Sequence, residues 1–185
     1  DGVLDQLVID RTNGKRSESQ NESFIHIHVA ALGDTAMKAI ATALDGTLTD
    51  VRNAVTDWKP MVNRLDETIE TLKEALKKAD IDASAEVLDF LKWLRDDNFT
   101  FLGMRVYETQ VDGGQVKLAR LPDTSLGVLA DLTALTLSRH LDDVNATSAI
   151  TAFLTSRQAI SITKSSMISR VHRRTMMDVI AIKLF

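Results

Sequence analysis

The stretch Leu88-Asp-Phe-Leu-Lys-Trp-Leu-Arg-Asp-Asp-Asn-Phe-Thr-Phe-Leu-Gly-Met-Arg-Val-Tyr-Glu108 decides how the rest of the chain is read. Its first half has the helical period: Val87, Phe90, Leu91 and Leu94 fall at i, i+3, i+4 and i+7 and form one apolar stripe. Ser84 is placed to cap the start, and Glu86 sits in the positive first turn. From Phe99 to Glu108 aromatic and aliphatic residues crowd together as in a strand, and Asp96, Asp97 and Asn98 supply the turn between. The expectation is a helix feeding directly into a strand, with Trp93 and Phe99 near the corner.

Upstream, Val3 to Ile9 reads as a strand, followed by a polar loop from Asp10 to Asn21 and a second strand around Phe24 to Val29. That order predicts an antiparallel hairpin in which Phe24, His26 and His28 share one face. Gly33-Asp34 opens a helix. Met37, Ala41, Leu44, Leu48, Val51, Val55, Trp58, Val62, Leu65, Ile69, Leu72 and Leu76 then recur at steps of four and three, a heptad-like stripe. Gly46 and Pro60 interrupt it. Two readings follow: one long helix broken near Asp57, or a helix ending at Gly46, an edge strand over Leu48 to Thr56 and a new helix from Pro60. Residues 60–79 are helical under both, with Glu70, Lys73, Glu74 and Lys78 on a mixed, solvated face.

Downstream, Asp112-Gly113-Gly114 signals a hairpin turn, and Gln115 to Leu121 is the returning strand. Leu126 to Leu129 reads as a short strand, Ala130 to His140 as a short helix and Asp143 to Ser156 as a further helix. Strands are expected at Ala159 to Thr163 and Met176 to Phe185. The fold class expected is α+β, with antiparallel sheets and helices packed on one face.

The composition bounds the function. The chain has 185 residues, 44% of them hydrophobic, enough for one medium domain or two small ones. The apolar runs are too short for a membrane span, and no signal peptide is evident at the start. The start on Asp-Gly and the strand-like end suggest a piece of a longer protein. With no cysteine, disulfides, thiolate metal sites and cysteine nucleophiles are excluded, and a cytoplasmic setting is expected. A net charge of −4 argues against broad nucleic-acid binding. None of the eight glycines forms a dinucleotide or phosphate-loop fingerprint.

Phe90-Leu-Lys-Trp-Leu-Arg-Asp-Asp-Asn-Phe-Thr-Phe-Leu-Gly103 resembles a segment in the N-terminal region of the large NAD-specific glutamate dehydrogenases of bacteria. Glu22-Ser-Phe-Ile-His-Ile-His28, Val51-Arg-Asn-Ala-Val-Thr-Asp-Trp58, Ile162-Thr-Lys-Ser-Ser166, Val171-His-Arg-Arg174 and Met177-Asp-Val-Ile180 are similar to other stretches of that region, in the same order. The resemblance implies ACT-like or PAS-like units joined by a helical connector. The end of a first ACT-like unit would occupy 1–58, the connector 59–82, and a second ACT-like or PAS-like unit 83–185. It further implies a non-catalytic regulatory or oligomerisation segment, with NAD held elsewhere in the full-length enzyme and no cofactor in this piece. The implied partners are the remainder of the polypeptide, a homo-oligomer and an amino-acid effector, with neither nucleic acid nor membrane among them. A purely architectural module and a stand-alone amino-acid sensor are the alternatives.

Four groups of residues are candidates for chemistry. Lys164, Arg170, His172, Arg173 and Arg174 form the densest positive segment, among Ser165, Ser166 and Ser169. Such a loop suits an anion or an acidic docking surface, because guanidinium forks match carboxylates and phosphates; the plain alternative is a solvated loop. His26 and His28 could share a metal but have no third ligand nearby in sequence. Ser161-Ile-Thr-Lys164 matches a Ser-x-x-Lys nucleophile motif only formally, since the run reads as a strand. Asp96-Asp97-Asn98 reads as a turn rather than a cation site. Trp58, Trp93, Phe99, Phe101 and Tyr107 are expected in the core or at the seam between domains.

Overall fold

A computed structural model describes residues 3–6, 20–23, 26–79, 84–112, 115–130 and 148–184. The chain divides into two units, Asp1–Ala39 and Ile40–Phe185. It is a mixed α+β chain whose described strands pair antiparallel in two-stranded ladders.

In the first unit, β1 (Val3–Gln6) pairs with β2 (Gln20–Ser23), with Val3 opposite Ser23 and Gln6 opposite Gln20. The expected hairpin is present, but its second strand lies earlier in the chain. Residues 26–33 are not a strand, which corrects the reading of His26 and His28 as neighbours on a strand face. Their rings nevertheless lie 4.4 Å apart between centroids. Phe24 and Ile25 lie outside the described residues.

α1 (Asp34–Thr56) runs without interruption through Gly46. The strand over 48–56 and the helix stop at Gly46 are therefore corrected, and the long helix broken near Asp57 is the observed form. An interior glycine costs a helix only about 1 kcal/mol. Here its missing Cβ also leaves room for a neighbour, since a Cβ at Gly46 would lie 3.1 Å from Arg170 Nη1. Asp57 is the turn residue, and α2 (Trp58–Ala79) follows at once. Pro60 falls in the first turn of α2, where a missing N–H removes no intrahelical hydrogen bond.

α2 supplies the core of the second unit. Met61, Leu65, Ile69, Leu72 and Leu76, at steps of four, four, three and four, are only 0–4% exposed. They pack with Leu91 and Leu94 of the following helix, with Phe101 and with Ala159. The opposite face is charged and solvated, as in the Glu70–Lys73 pair at 3.3 Å.

α3 (Ser84–Trp93) ends in a single π-helical turn, Leu94–Asn98. Asp97 takes a left-handed conformation (φ 59°), and Phe99 is already extended (φ −140°, ψ 132°). Asp and Asn tolerate that left-handed position better than other residues carrying a Cβ. Asn98 Nδ2 donates to the carbonyls of Trp93 (3.0 Å) and Asp96 (2.9 Å), closing the corner. Arg95 bridges to Asp96 (2.9 Å) and to Asp66 of α2 (3.2 Å), tying the turn to the core helix. The turn is where it was expected, but the helix does not feed directly into a strand, because residues 99–102 precede the first one. Trp93 and Trp58, expected in the core or at a seam between domains, are exposed and so not in the core, whereas Phe101 is buried and Phe99 and Tyr107 are half-buried.

The single strand expected over Phe99 to Glu108 is instead two short ones. β3 (Gly103–Met104) pairs with β6 (Leu126–Gly127), and β4 (Tyr107–Asp112) pairs with β5 (Gln115–Arg120). The break has a local cause. Gly103 faces Gly127, whose φ is +63°, and a Cβ on Gly127 would fall 2.1 Å from the Leu102 carbonyl oxygen. Only glycine allows the two backbones so close. Arg105, between β3 and β4, donates to Ser125 Oγ (2.9 Å) and to the Leu129 carbonyl (2.7 Å).

α4 (Ser148–Thr155) precedes the longest ladder, β7 (Ile160–Ile168) with β8 (Met176–Ile182). Ile160 lies opposite Ile182 and Lys164 opposite Asp178, and the register shifts between Lys164 and Ile168. The helix expected over 130–140, the start of the one expected from Asp143, and the Gly113-Gly114 turn lie outside the described residues.

Candidate functional loop between β7 and β8

Residues 169–175 join β7 to β8 and carry four of the five candidate basic residues. The loop is closed at its neck. Ser169 N–H donates to the Thr175 carbonyl at 2.8 Å. Ser169 Oγ donates to the Val171 carbonyl (2.6 Å) and accepts from Val171 N–H (3.0 Å). Beyond the neck, Arg173 N–H donates to the Val171 carbonyl (2.8 Å) and Thr175 N–H to that of Arg173 (2.9 Å), so the tip is a succession of tight turns. His172 takes a positive φ of 65° at the apex. A buried serine satisfying its own loop in this way is a local alternative to ladder hydrogen bonds.

The structure separates the five candidates. Lys164 lies on β7 and pairs with Asp178 across the ladder at 2.6 Å, in solvent. Arg170 turns toward α1, where its Nη2 lies 2.6 Å from Asp50 Oδ2. The Asp50 side chain is 6% exposed and that of Arg170 is 40% exposed, so the carboxylate is the buried partner of this pair. Arg173, Arg174 and His172 remain exposed, with no ion pair among the described residues. Two of the five are therefore committed to holding the fold, and three face solvent at the tip.

A shallow cleft lies beside the ion pair, lined by Asp50, Val128, Ile168, Ser169, Arg170, Val171 and Met177. Its cavity volume is only ≈ 10 Å³, room for about one water molecule and far below the range of about 300–1,000 Å³ usual for small-molecule pockets. Arg170, the cationic residue of the lining, is already engaged by Asp50, and His172, Arg173 and Arg174 lie outside the lining. The geometry suits surface docking better than enclosure of a ligand.

Reading the sequence missed the acceptor in α1. Its signal is the spacing of Gly46, Asp50 and Ala54, a small–polar–small stripe at steps of four beside the apolar one. The elbow between α1 and α2 is gripped in a similar way, with Asp57 Oδ2 accepting from Gly127 N–H at 2.7 Å. Arg64 Nη1 donates to the Thr124 carbonyl at 3.2 Å. The segment 124–129 is thereby fastened to the elbow and to α2 by polar contacts.

Ser161 and Lys164 are three residues apart on a strand, which places them on opposite faces. Among the described residues, no three His, Asp or Glu side chains gather as a metal site. No helix among them is long and apolar enough to cross a membrane.

Comparisons with known proteins agree with the resemblance carried by the Phe90–Gly103 stretch. The chain is similar to the NAD-specific glutamate dehydrogenase of Halomonas elongata, with 34% identity over 166 residues, 87% of this chain and 10% of that protein. It is similar also to the NAD-specific glutamate dehydrogenase of Pseudomonas aeruginosa, with 28% identity over 184 residues, 98% of this chain and 11% of that protein. No family model and no solved structure matches. The chain spans about one tenth of the length of the curated relatives it matches.

Proposed function

We propose that this chain is a non-catalytic regulatory and oligomerisation segment from the N-terminal region of an NAD-specific glutamate dehydrogenase. The full-length enzyme would convert L-glutamate, NAD and water to 2-oxoglutarate, ammonia and NADH in the cytoplasm. The observation that carries the reading is the near end-to-end similarity of this chain to about a tenth of two such enzymes. The lack of a dinucleotide fingerprint in the sequence supports a cofactor site elsewhere in the polypeptide. ACT-like or PAS-like architecture is part of the proposal, with residues 59–82 as the helical connector.

On this reading the β7–β8 loop is a contact element. Arg170 fixes it to α1, and His172, Arg173 and Arg174 present positive charge to an acidic surface of the same enzyme or to the carboxylate of an amino-acid effector. The test uses the complete enzyme carrying His172→Gln, Arg173→Gln and Arg174→Gln. Single-turnover NADH formation at saturating glutamate and NAD is expected to stay near wild type, while subunit assembly or the response to amino acids changes. Abolished single-turnover chemistry in a folded, assembled variant would overturn the non-catalytic reading. Absence of glutamate-dependent NAD reduction by the complete wild-type protein would overturn the enzyme assignment.

A further inference from the structure

α1 has two faces, and one of them is uncovered. Gly46, Asp50, Ala54 and the Asp57 elbow turn toward the β6 segment and the β7–β8 loop. About a third of a turn away, Ile40, Leu44, Leu48, Val51 and Val55 form a continuous apolar stripe that is 37–72% exposed. From Ile40 to Val55 this seam runs for roughly 22 Å at 1.5 Å per residue. Leu44, Leu48, Val51 and Val55 follow the four-three-four steps of a coiled-coil seam, which is filled best by another helix with the same repeat. An exposed seam of that kind marks an interaction surface.

The charges beside the seam identify the partner. Asp45 and Arg52 are exposed on the same flank, seven residues and therefore two turns apart, with no ion pair to either among the described residues. The opposite flank carries Thr47, whose hydroxyl donates to the Ala43 carbonyl (2.9 Å), and Ala54, which is buried. A parallel pairing sets one flank against the other and matches charge with no charge. An antiparallel pairing sets each flank against its own copy. A two-fold axis crossing the seam near Leu48 then brings Asp45 opposite the partner's Arg52 and, by symmetry, Arg52 opposite the partner's Asp45.

We propose that a second copy of this chain covers the α1 seam, as an antiparallel helix pair fixed in register by two reciprocal Asp45–Arg52 contacts. This deepens the assembly role proposed above by naming its surface, and its geometric basis does not depend on the enzyme assignment.

The test is a charge-swap cycle read by sedimentation velocity across a concentration series of the full chain, with thermal melts as the check on folding. Wild type is expected to show a concentration-dependent dimer. Asp45→Arg alone and Arg52→Asp alone each set like charges opposite each other twice, and each should raise the dimer dissociation constant about tenfold or more. The double swap should restore it to near the wild-type value, because the reciprocal pairs are rebuilt with their signs exchanged. Leu48→Glu should leave only monomer while the chain stays folded. A wild-type chain that is monomeric at every concentration overturns the proposal. So does a dimer indifferent to the single swaps, or a double swap no tighter than its parents; in those cases the seam is covered by a different segment or partner. A dimer that obeys the cycle, in a protein whose full-length form has no glutamate-dependent NAD reduction, would sustain this inference and overturn only the enzyme reading.

Discussion

α1 and α2 are consecutive helices with the same apolar spacing and opposite fates. In α2 the stripe from Met61 to Leu76 is the core of its unit, whereas in α1 the stripe from Ile40 to Val55 faces solvent. Periodicity therefore reports that a helix has an apolar face without saying what that face meets. α1 is held instead by its small–polar stripe, through Asp50 to Arg170 and through the Asp57 elbow to Gly127. Apolar burial attaches α2, whereas α1 is attached by directional polar contacts beside one small apolar contact, Ala54 against Val128.

Truncating the two stripes should give the largest contrast. Leu72→Ala removes a fully buried side chain among Leu91, Leu94 and their neighbours, and should cost about 3 kcal/mol or more. Leu48→Ala, on the exposed stripe, should change the monomer's stability by no more than about 0.5 kcal/mol. Urea denaturation of each variant under monomeric conditions checks both. Equal losses would mean that the α1 stripe is buried within the chain itself.

Gly127→Ala comes next, because it strikes the elbow between the helices. Its Cβ would meet the Leu102 carbonyl at 2.1 Å in a conformation that disfavours an L side chain. The strain should cost roughly 2–3 kcal/mol and loosen the Gly127–Asp57 contact. Hydrogen exchange should then show loss of protection at Gly127 and Val128, whose N–H groups donate to Asp57 and Leu102. Unchanged protection there would mean that the elbow is held by other contacts.

The polar attachment of α1 should break asymmetrically. Arg170→Met leaves the buried Asp50 carboxylate without its partner, whereas Asp50→Asn leaves a half-exposed guanidinium that water can solvate. The first should cost about 1–2 kcal/mol and the second less, because an uncompensated buried charge is the larger penalty. A paired denaturation experiment decides the order. The reverse order would mean that Arg170, not Asp50, is the desolvated member.

The same contrast explains what was legible beforehand. The helix from Ser84 and its turn at Asp96–Asn98 could be read because period, capping and turn chemistry agreed locally. The β7 and β8 strands were readable for the same reason, although not their length. At Leu48 to Thr56 the signals conflicted: a glycine and a proline suggested punctuation, while the heptad steps suggested helix, and the helix prevailed. The five basic residues were identifiable by their density in sequence, but the division into Arg170 held and Arg173 exposed depends on Asp50, 120 residues earlier in the chain. Contacts of that range leave no local period. The close approach of Gly103 to Gly127 is of the same kind, since neither glycine lies in a turn dipeptide.

A third helix tests how far polar attachment alone can hold. The C-terminal end of α4 is held by Lys183, whose Nζ donates to the carbonyls of Phe153 (3.2 Å), Leu154 (3.2 Å) and Ser156 and lies 5.5 Å from the Phe153 ring centre. The contacts satisfy carbonyls that a helix end leaves open and place positive charge at the negative end of the dipole. Lys183→Met should therefore cost about 1 kcal/mol near neutral pH. Its pH dependence has a definite sign. Burial holds the Lys183 ammonium below the ordinary lysine value of 10.5. Between that lowered value and 10.5 the unfolded chain binds more protons than the folded one, so stability rises with pH across this window. The wild-type advantage over Lys183→Met should accordingly grow as pH approaches 10.5 from below. An advantage that shrinks over that interval would mean that the carbonyls outweigh burial and raise the lysine instead, making α4 more firmly held by charge than α1 is by Asp50.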